Sequence, residues 1–227
     1  MQLTLPSGTP AELATPSDGR APNRGLVIIP DIGGLRALFA AMAQRIADER
    51  GWAACAFDPW GDVTPADSLP ERLGQVGQLT DDRLLGDAVA AADACDVDPV
   101  GVIGFCMGGM YTYKAAGTGR FDRAAAFYGM VRVPEQWRGP GHGEPLDALA
   151  RPEAATTLAI IGGVDQWTPP DDVAALEAAG VTVVRYDEAD HGFVHDPDRP
   201  AHRADDAADA WQRALDFVEG IGSQPVG

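Results

Sequence analysis

Apolar residues gather along this chain in short runs at regular intervals: Leu26–Ile29, Ala53–Phe57, Val100–Phe105, Ala124–Phe127, Leu158–Ile161 and Val181–Tyr186. The runs are short, several are β-branched, and continuous apolar character predicts strands buried on both faces, as in a parallel sheet. Between them, Leu35–Arg50, Asp81–Ala94, Met107–Ala116, Pro170–Ala179 and Arg203–Glu219 repeat apolar positions near the helical period, as Trp211, Leu215 and Val218 illustrate. Strand and helix alternate throughout. That order specifies an α/β fold, a mostly parallel central sheet with helices on both faces, and places ligands beyond the carboxyl ends of the strands. Ahead of it, Gln2–Leu5 and Ala11–Ala14 flank Pro6-Ser-Gly-Thr-Pro10 and predict a short N-terminal β-hairpin, followed by a polar loop over Pro16–Arg24. Two Gly- and Pro-rich stretches, Asp58–Gln78 and Val131–Pro152, read as irregular loops arching over the sheet edge and shaping a substrate site.

One segment carries the chemistry. Gly104-Phe105-Cys106-Met107-Gly108-Gly109 joins an apolar run to a helix-compatible one, so a G-x-C-x-G elbow stands in the strand-to-helix context it requires. Glycines on either side remove side chains where the backbone reverses, and the turn lifts Cys106 clear of the sheet. At a helix start a thiol meets the positive end of the macrodipole, which favours thiolate over thiol.

Composition narrows the setting. With 227 residues, 45% of them hydrophobic, one domain over 1–227 accounts for the chain. Seventeen basic against 34 acidic residues give a formal charge of −17, which argues against a nucleic-acid surface or an anionic membrane. Met1–Pro6 lacks the basic-then-apolar pattern of a secretion signal, and no run of about eighteen apolar residues occurs, so a cytoplasmic protein is expected. The three cysteines, Cys55, Cys95 and Cys106, are odd in number and without C-x-x-C spacing, which disfavours both a disulfide framework and a zinc site. Cys55 and Cys95 fall in predicted elements and read as buried; no metal or organic cofactor is implied.

A cysteine nucleophile needs a base and a group to orient that base. Leu158-Ala-Ile-Ile-Gly-Gly-Val-Asp165 places an acid after one strand, and Val183-Val-Arg-Tyr-Asp-Glu-Ala-Asp-His191 places a histidine after the next. The order Cys106, Asp165, His191 is that of the α/β-hydrolases. The segments G-F-C-M-G-G, G-G-V-D-Q-W-T-P and Y-D-E-A-D-H-G-F together resemble the dienelactone hydrolase family, a cysteine-using branch of that fold. Val27-Ile-Ile-Pro-Asp-Ile-Gly-Gly-Leu35 and Ala56-Phe-Asp-Pro-Trp60 extend the similarity over nearly the whole chain. The resemblance implies a nucleophilic Cys106, a general base and acid at His191, and Asp165 fixing the histidine tautomer. It also implies an oxyanion hole built from the backbone N–H groups of Met107 and Ile32.

Further residues follow from the same likeness. Asp31 stands where the archetypal lactonases carry a glutamate that gates the thiol; the alternative is a loop carboxylate bonding nearby amides. Those enzymes hold a substrate carboxylate with an arginine four residues after the histidine, where this chain has His195, with Arg199 further on. Arg72 or Arg83 could replace that cation, and Trp167 and Tyr128 are expected to line the pocket. His142, His195 and His202, among Gly, Pro and Asp, are expected in solvent.

Because a thiolate is a good leaving group, a cysteine hydrolase prefers activated acyl groups, namely enol lactones, aryl or enol esters and thioesters. The expected partner is a small ester or lactone, and the expected assembly a monomer or small homo-oligomer. Two other readings remain at this level: a non-catalytic binding protein on the same scaffold, and a redox-responsive thiol, for which no adjacent resolving cysteine exists.

Overall fold

Eight strands form one mixed sheet in the order β1-β2-β4-β3-β5-β6-β7-β8. The computed structural model describes residues 1–221, so residues 222–227 of the domain expected over 1–227 lie outside the described residues. The strands are β1 (Gln2–Thr4), β2 (Pro10–Ala14), β3 (Gly25–Ile29), β4 (Ala53–Phe57), β5 (Val100–Phe105), β6 (Arg123–Phe127), β7 (Thr156–Gly162) and β8 (Thr182–Tyr186). The hairpin β1-β2 joins antiparallel to β4, and every pairing from β4 through β8 is parallel. β3, β4 and β5 are buried at every position, as their uninterrupted apolar runs require.

Helices α1 (Ala37–Arg50), α3 (Asp81–Ala94), α4 (Met107–Ala116), α6 (Pro170–Ala178) and α7 (Ala204–Glu219) cover the sheet. Two apolar layers result. On one face α1 and α7 bring Phe39, Met42, Ile46, Ala210, Leu215 and Val218 against Ile28, Ile103 and Phe105. On the other, α3 and α4 bring Leu84, Ala88, Met110 and Tyr113 against Val27, Val102 and Ala126. Each fully buried Leu, Ile, Val or Phe side chain contributes roughly 1.5–3 kcal/mol relative to exposure, so these layers hold the strand ends in fixed register.

Both stretches read as irregular contain helix. Helix α2 (Leu69–Gln75) is followed directly by a 3₁₀ turn over Val76–Gln78; a second 3₁₀ turn spans Glu135–Trp137, and α5 covers Pro145–Leu149. α2 starts at a Ser68 N-cap, whose Oγ accepts from the Glu71 N–H while its hydroxyl donates to Glu71 Oε2. The Ser-x-x-Glu spacing was present in the sequence beneath its glycines and prolines. Lys114, the sole lysine, is buried and pairs at 2.7 Å with Asp81, which also accepts from the Gly143 N–H. Through Asp81 the segment around Gly143 is anchored to α4. α1 begins at Ala37 rather than Leu35, because the residues before it form a held turn described next.

Candidate active site

Between β5 and α4, Cys106 adopts φ 58°, ψ −119°, a conformation costly for any residue with a side chain. Its surroundings enforce it: the Cys106 N–H donates to Phe127 O at 3.0 Å, and its carbonyl accepts from the Met110 N–H at 3.0 Å. A Cβ on Gly104 would lie 2.3 Å from Gly108 O, and one on Gly108 would lie 2.1 Å from Ile29 O. The glycines of the elbow are therefore what lets α4 cross the strand ends so closely. Cys106 remains partly exposed.

His191 follows β8 and Asp165 follows β7, and adjacent parallel strands bring the two loops together. His191 Nδ1 lies 2.8 Å from Asp165 Oδ2, while the other Asp165 oxygen accepts from the Trp167 N–H at 2.8 Å. The Cys106 sulfur is near enough to the imidazole to act on its charge. Burial works against a charged ring, yet the neighbouring negative charges at Cys106 and Asp165 outweigh it and push the His191 pKa up to about 10. Removing the sulfur removes the larger of those anionic influences while burial persists, so Cys106→Ala lowers the His191 pKa from about 10 toward the ordinary value of 6.5. An NMR titration of the imidazole checks this; an unmoved pKa would assign the shift to Asp165 alone.

The turn between β3 and α1 brings Ile32 to the elbow side of the sheet. Trp60 Nε1 donates to Ile32 O at 3.0 Å, and Asp58 accepts from the Trp60 and Leu35 N–H groups. Neither the Ile32 nor the Met107 N–H is engaged by another acceptor among the described residues. Asp31, in the same turn, is fully occupied: it accepts from Arg36 at 2.6 and 3.0 Å, from the Gly33 N–H at 2.8 Å, and pairs with His195 Nε2 at 2.7 Å. Burial alone would raise its pKa, but His195 and Arg36 hold the carboxyl well below the usual range. The thiol is not among its hydrogen-bond partners.

Other expectations need correction. His195 is not in solvent: its side chain is wholly buried, bonded to Asp31 and to the Tyr128 hydroxyl. Tyr128 is likewise fully buried, with φ 39°, so it backs the site instead of lining a pocket, its ring edge 5.2 Å from the His191 ring. Arg83 is bound by Asp87 and the Pro59 carbonyl, and Arg72 donates to the Ala66 carbonyl. Neither guanidinium is directed to Cys106 by a contact. His142 packs its ring against Tyr111 with its side chain 1% exposed, and His202 is half-buried. Trp167 is 36% exposed, 6.4 Å from the His191 ring, and stacks on buried Trp137 at 6.0 Å. Sequence reading missed Trp137, which carried no motif, and Trp60, whose role rests on a contact 28 residues away.

Cys55 and Cys95 are buried as expected, and burial pushes their thiols up to about 12 and about 11. A hollow of about 420 Å³ between α1 and α7 is lined by Met42, Arg45, His195 and Trp211, and includes neither Cys106 nor His191. Among the described residues no helix is long and apolar enough to cross a membrane.

The sequence pattern of the dienelactone hydrolase family matches residues 10–222. The chain belongs to the dienelactone hydrolase family. It is accordingly a carboxylic ester hydrolase on the α/β-hydrolase fold. Among its relatives, a candidate carboxymethylenebutenolidase of Escherichia coli K12 is 29% identical over 231 residues, covering 95% of this chain and 83% of its own length. The carboxymethylenebutenolidase of Pseudomonas putida is 27% identical over 226 residues, covering 92% and 90%. The crystal structure of a candidate dienelactone hydrolase from Klebsiella pneumoniae superimposes with a TM-score of 0.84 at 27% identity, covering 96% of this chain and 97% of the other.

Proposed function

We propose that this dienelactone hydrolase family member cleaves activated carboxylic esters and lactones, of the enol-lactone type, through a cysteinyl acyl intermediate. The observation that carries the reading is the chain Cys106, His191, Asp165, with the 2.8 Å bond from His191 Nδ1 to Asp165 set behind a nucleophile elbow. The relatives' name, carboxymethylenebutenolidase, supports a lactone substrate.

Cys106 Sγ attacks the carbonyl carbon, a C–S bond forms, and the carbonyl electron pair moves to oxygen. The N–H groups of Met107 and Ile32 hold that oxyanion, each contributing on the order of 3 kcal/mol. Collapse breaks the C–O bond of the ester, and His191 Nε2 gives its proton to the departing alkoxide or enolate. Water then enters; His191 Nε2 takes one of its protons, the resulting hydroxide attacks the thioester carbon, and the C–S bond breaks to restore the thiolate. Asp165 keeps the Nδ1 proton in place, so that Nε2 faces the sulfur through both half-reactions. An enolate or aryloxide leaves readily in competition with the thiolate, an amine does not, which limits turnover to activated acyl groups. With His195 enclosed, position 195 offers no cation to a substrate carboxylate.

Quenching the enzyme during turnover of p-nitrophenyl acetate tests the reading. The expected result is a burst of nitrophenolate and an acetyl group on the peptide carrying Cys106. Turnover with the acetyl group on another residue would overturn it.

A further inference from the structure

His195 joins the turn after β3 to the end of β6, two strands that do not pair with each other directly. Its Nε2 lies 2.7 Å from Asp31 Oδ2 and its Nδ1 2.5 Å from the Tyr128 hydroxyl, with Phe39 stacked at 5.8 Å and Phe105 at 4.8 Å. Asp31 belongs to the turn that carries the Ile32 N–H, and Arg36 and the Gly33 N–H complete its coordination. Tyr128 sits at the end of β6, where its N–H donates to Ile160 O at 2.7 Å; its ring meets His191 edge-on at 5.2 Å and 62°.

With His195 neutral, one arrangement of protons satisfies this chain of groups. Asp31 is an acceptor, so Nε2 carries hydrogen; a phenol donates, so Nδ1 offers its lone pair. Burial, with Arg36 and Arg199 nearby, pushes the His195 pKa down despite Asp31, in keeping with a neutral ring. Burial likewise keeps Tyr128 a phenol. The charge on Asp31 is met by Arg36 rather than by an imidazolium. Every polar atom of His195 is thereby paired inside an apolar sleeve, an arrangement that rigidifies the groups at both ends.

We infer that His195 is a positioning residue for the hydrolysis, tying the turn that supplies the Ile32 oxyanion donor to the Tyr128 ring that fixes the attitude of His191. It touches no reacting atom and acts through Asp31 on one side and Tyr128 on the other. The inference rests on the Cys106, His191, Asp165 reading and adds to it a second chain of buried side chains, Asp31, His195 and Tyr128. Its energetic logic is geometric: misplacing an imidazole or an oxyanion donor by a fraction of an ångström raises the barrier without weakening substrate binding.

The test compares Tyr128→Phe, His195→Phe, His195→Gln and the Tyr128→Phe/His195→Phe double variant with the parent. Each is assayed for kcat and KM on p-nitrophenyl acetate across the pH range, with ¹⁵N-imidazole NMR of His191. His195→Phe keeps the volume and loses both bonds; His195→Gln keeps a donor for Asp31 and an acceptor for Tyr128. Tyr128→Phe and His195→Phe should each lower kcat by about ten-fold or more with KM changed by less than about two-fold, and should shift the acid limb of the pH profile and the His191 Nδ1–H resonance. His195→Gln should recover most of the loss, and the double variant should be no worse than the poorer single one, because both changes break the same chain. Parental kcat and an unmoved His191 resonance in folded Tyr128→Phe would overturn the inference, as would additive losses in the double variant. Should His195→Phe not fold, Tyr128→Phe and His195→Gln decide alone. Undiminished turnover by Cys106→Ala would instead remove the nucleophile reading, leaving the His191 resonance to judge the positioning role independently.

Discussion

Cys106→Ala is expected to lower kcat/KM for an aryl ester by about ten-thousand-fold or more, leaving only the small residual rate that oriented backbone donors and binding provide. The reason lies in the elbow. Cys106 is the one side chain that the strained turn at φ 58° holds partly exposed beside His191, and alanine there keeps the backbone while deleting the atom that bonds to carbon. Cys106→Ser is expected to fall nearly as far, because a hydroxyl is far harder to deprotonate than a thiol and the pairing that raises the His191 pKa is lost with the sulfur. Steady-state hydrolysis of p-nitrophenyl acetate with matched folding controls by circular dichroism measures both. A Cys106→Ala protein working at the parental rate would show that another group forms the acyl intermediate.

Asp165→Asn is expected to leave the melting temperature nearly unchanged and to reduce kcat by about a thousand- to ten-thousand-fold. The substitution is isosteric, and the amide oxygen can still accept from the Trp167 N–H as Asp165 Oδ1 does at 2.8 Å. What changes is the atom facing His191. In place of an acceptor 2.8 Å from Nδ1 stands an NH₂ group, which selects the imidazole tautomer with its proton on Nε2. Nδ1 accepts from that amide and can no longer carry hydrogen, so the imidazolium that pairs with the Cys106 thiolate and protonates the leaving group is lost. Measuring kcat together with the His191 tautomer by ¹⁵N shifts checks the cause as well as the effect; full rate in a folded Asp165→Asn protein would remove Asp165 from the mechanism.

Elements held by local pattern were legible in advance. Val100–Phe105 and Asp81–Ala94 keep the bounds their sequences suggest, the first because an unbroken apolar run ends at a glycine-flanked elbow, the second because Thr80 caps the helix by accepting from the Arg83 N–H. The positions of Asp165 and His191 were legible because each follows an apolar run that ends in a loop, and a parallel sheet gathers such loops at one edge. Features decided by distant partners were not legible. His195, set among Asp and Pro, resembles a solvated loop residue until Asp31, 164 positions earlier, and Tyr128, 67 positions earlier, close around it. Arg83 was a free cation in the sequence and a bound one in the fold, since Asp87 one turn along its helix and the Pro59 carbonyl take its guanidinium. The α2 helix was hidden differently: its glycine and proline outweighed a short capping signal in a reading based on composition.

The three thiols differ in a way that bears on handling the protein. Cys55 and Cys95 are sealed in the interior and stay protonated far into the alkaline range, whereas Cys106 is partly exposed. Toward a soft electrophile such as iodoacetamide the folded chain is therefore monofunctional, and one equivalent of alkylating reagent counts competent molecules in a preparation, while denaturation unmasks the two silent sulfurs.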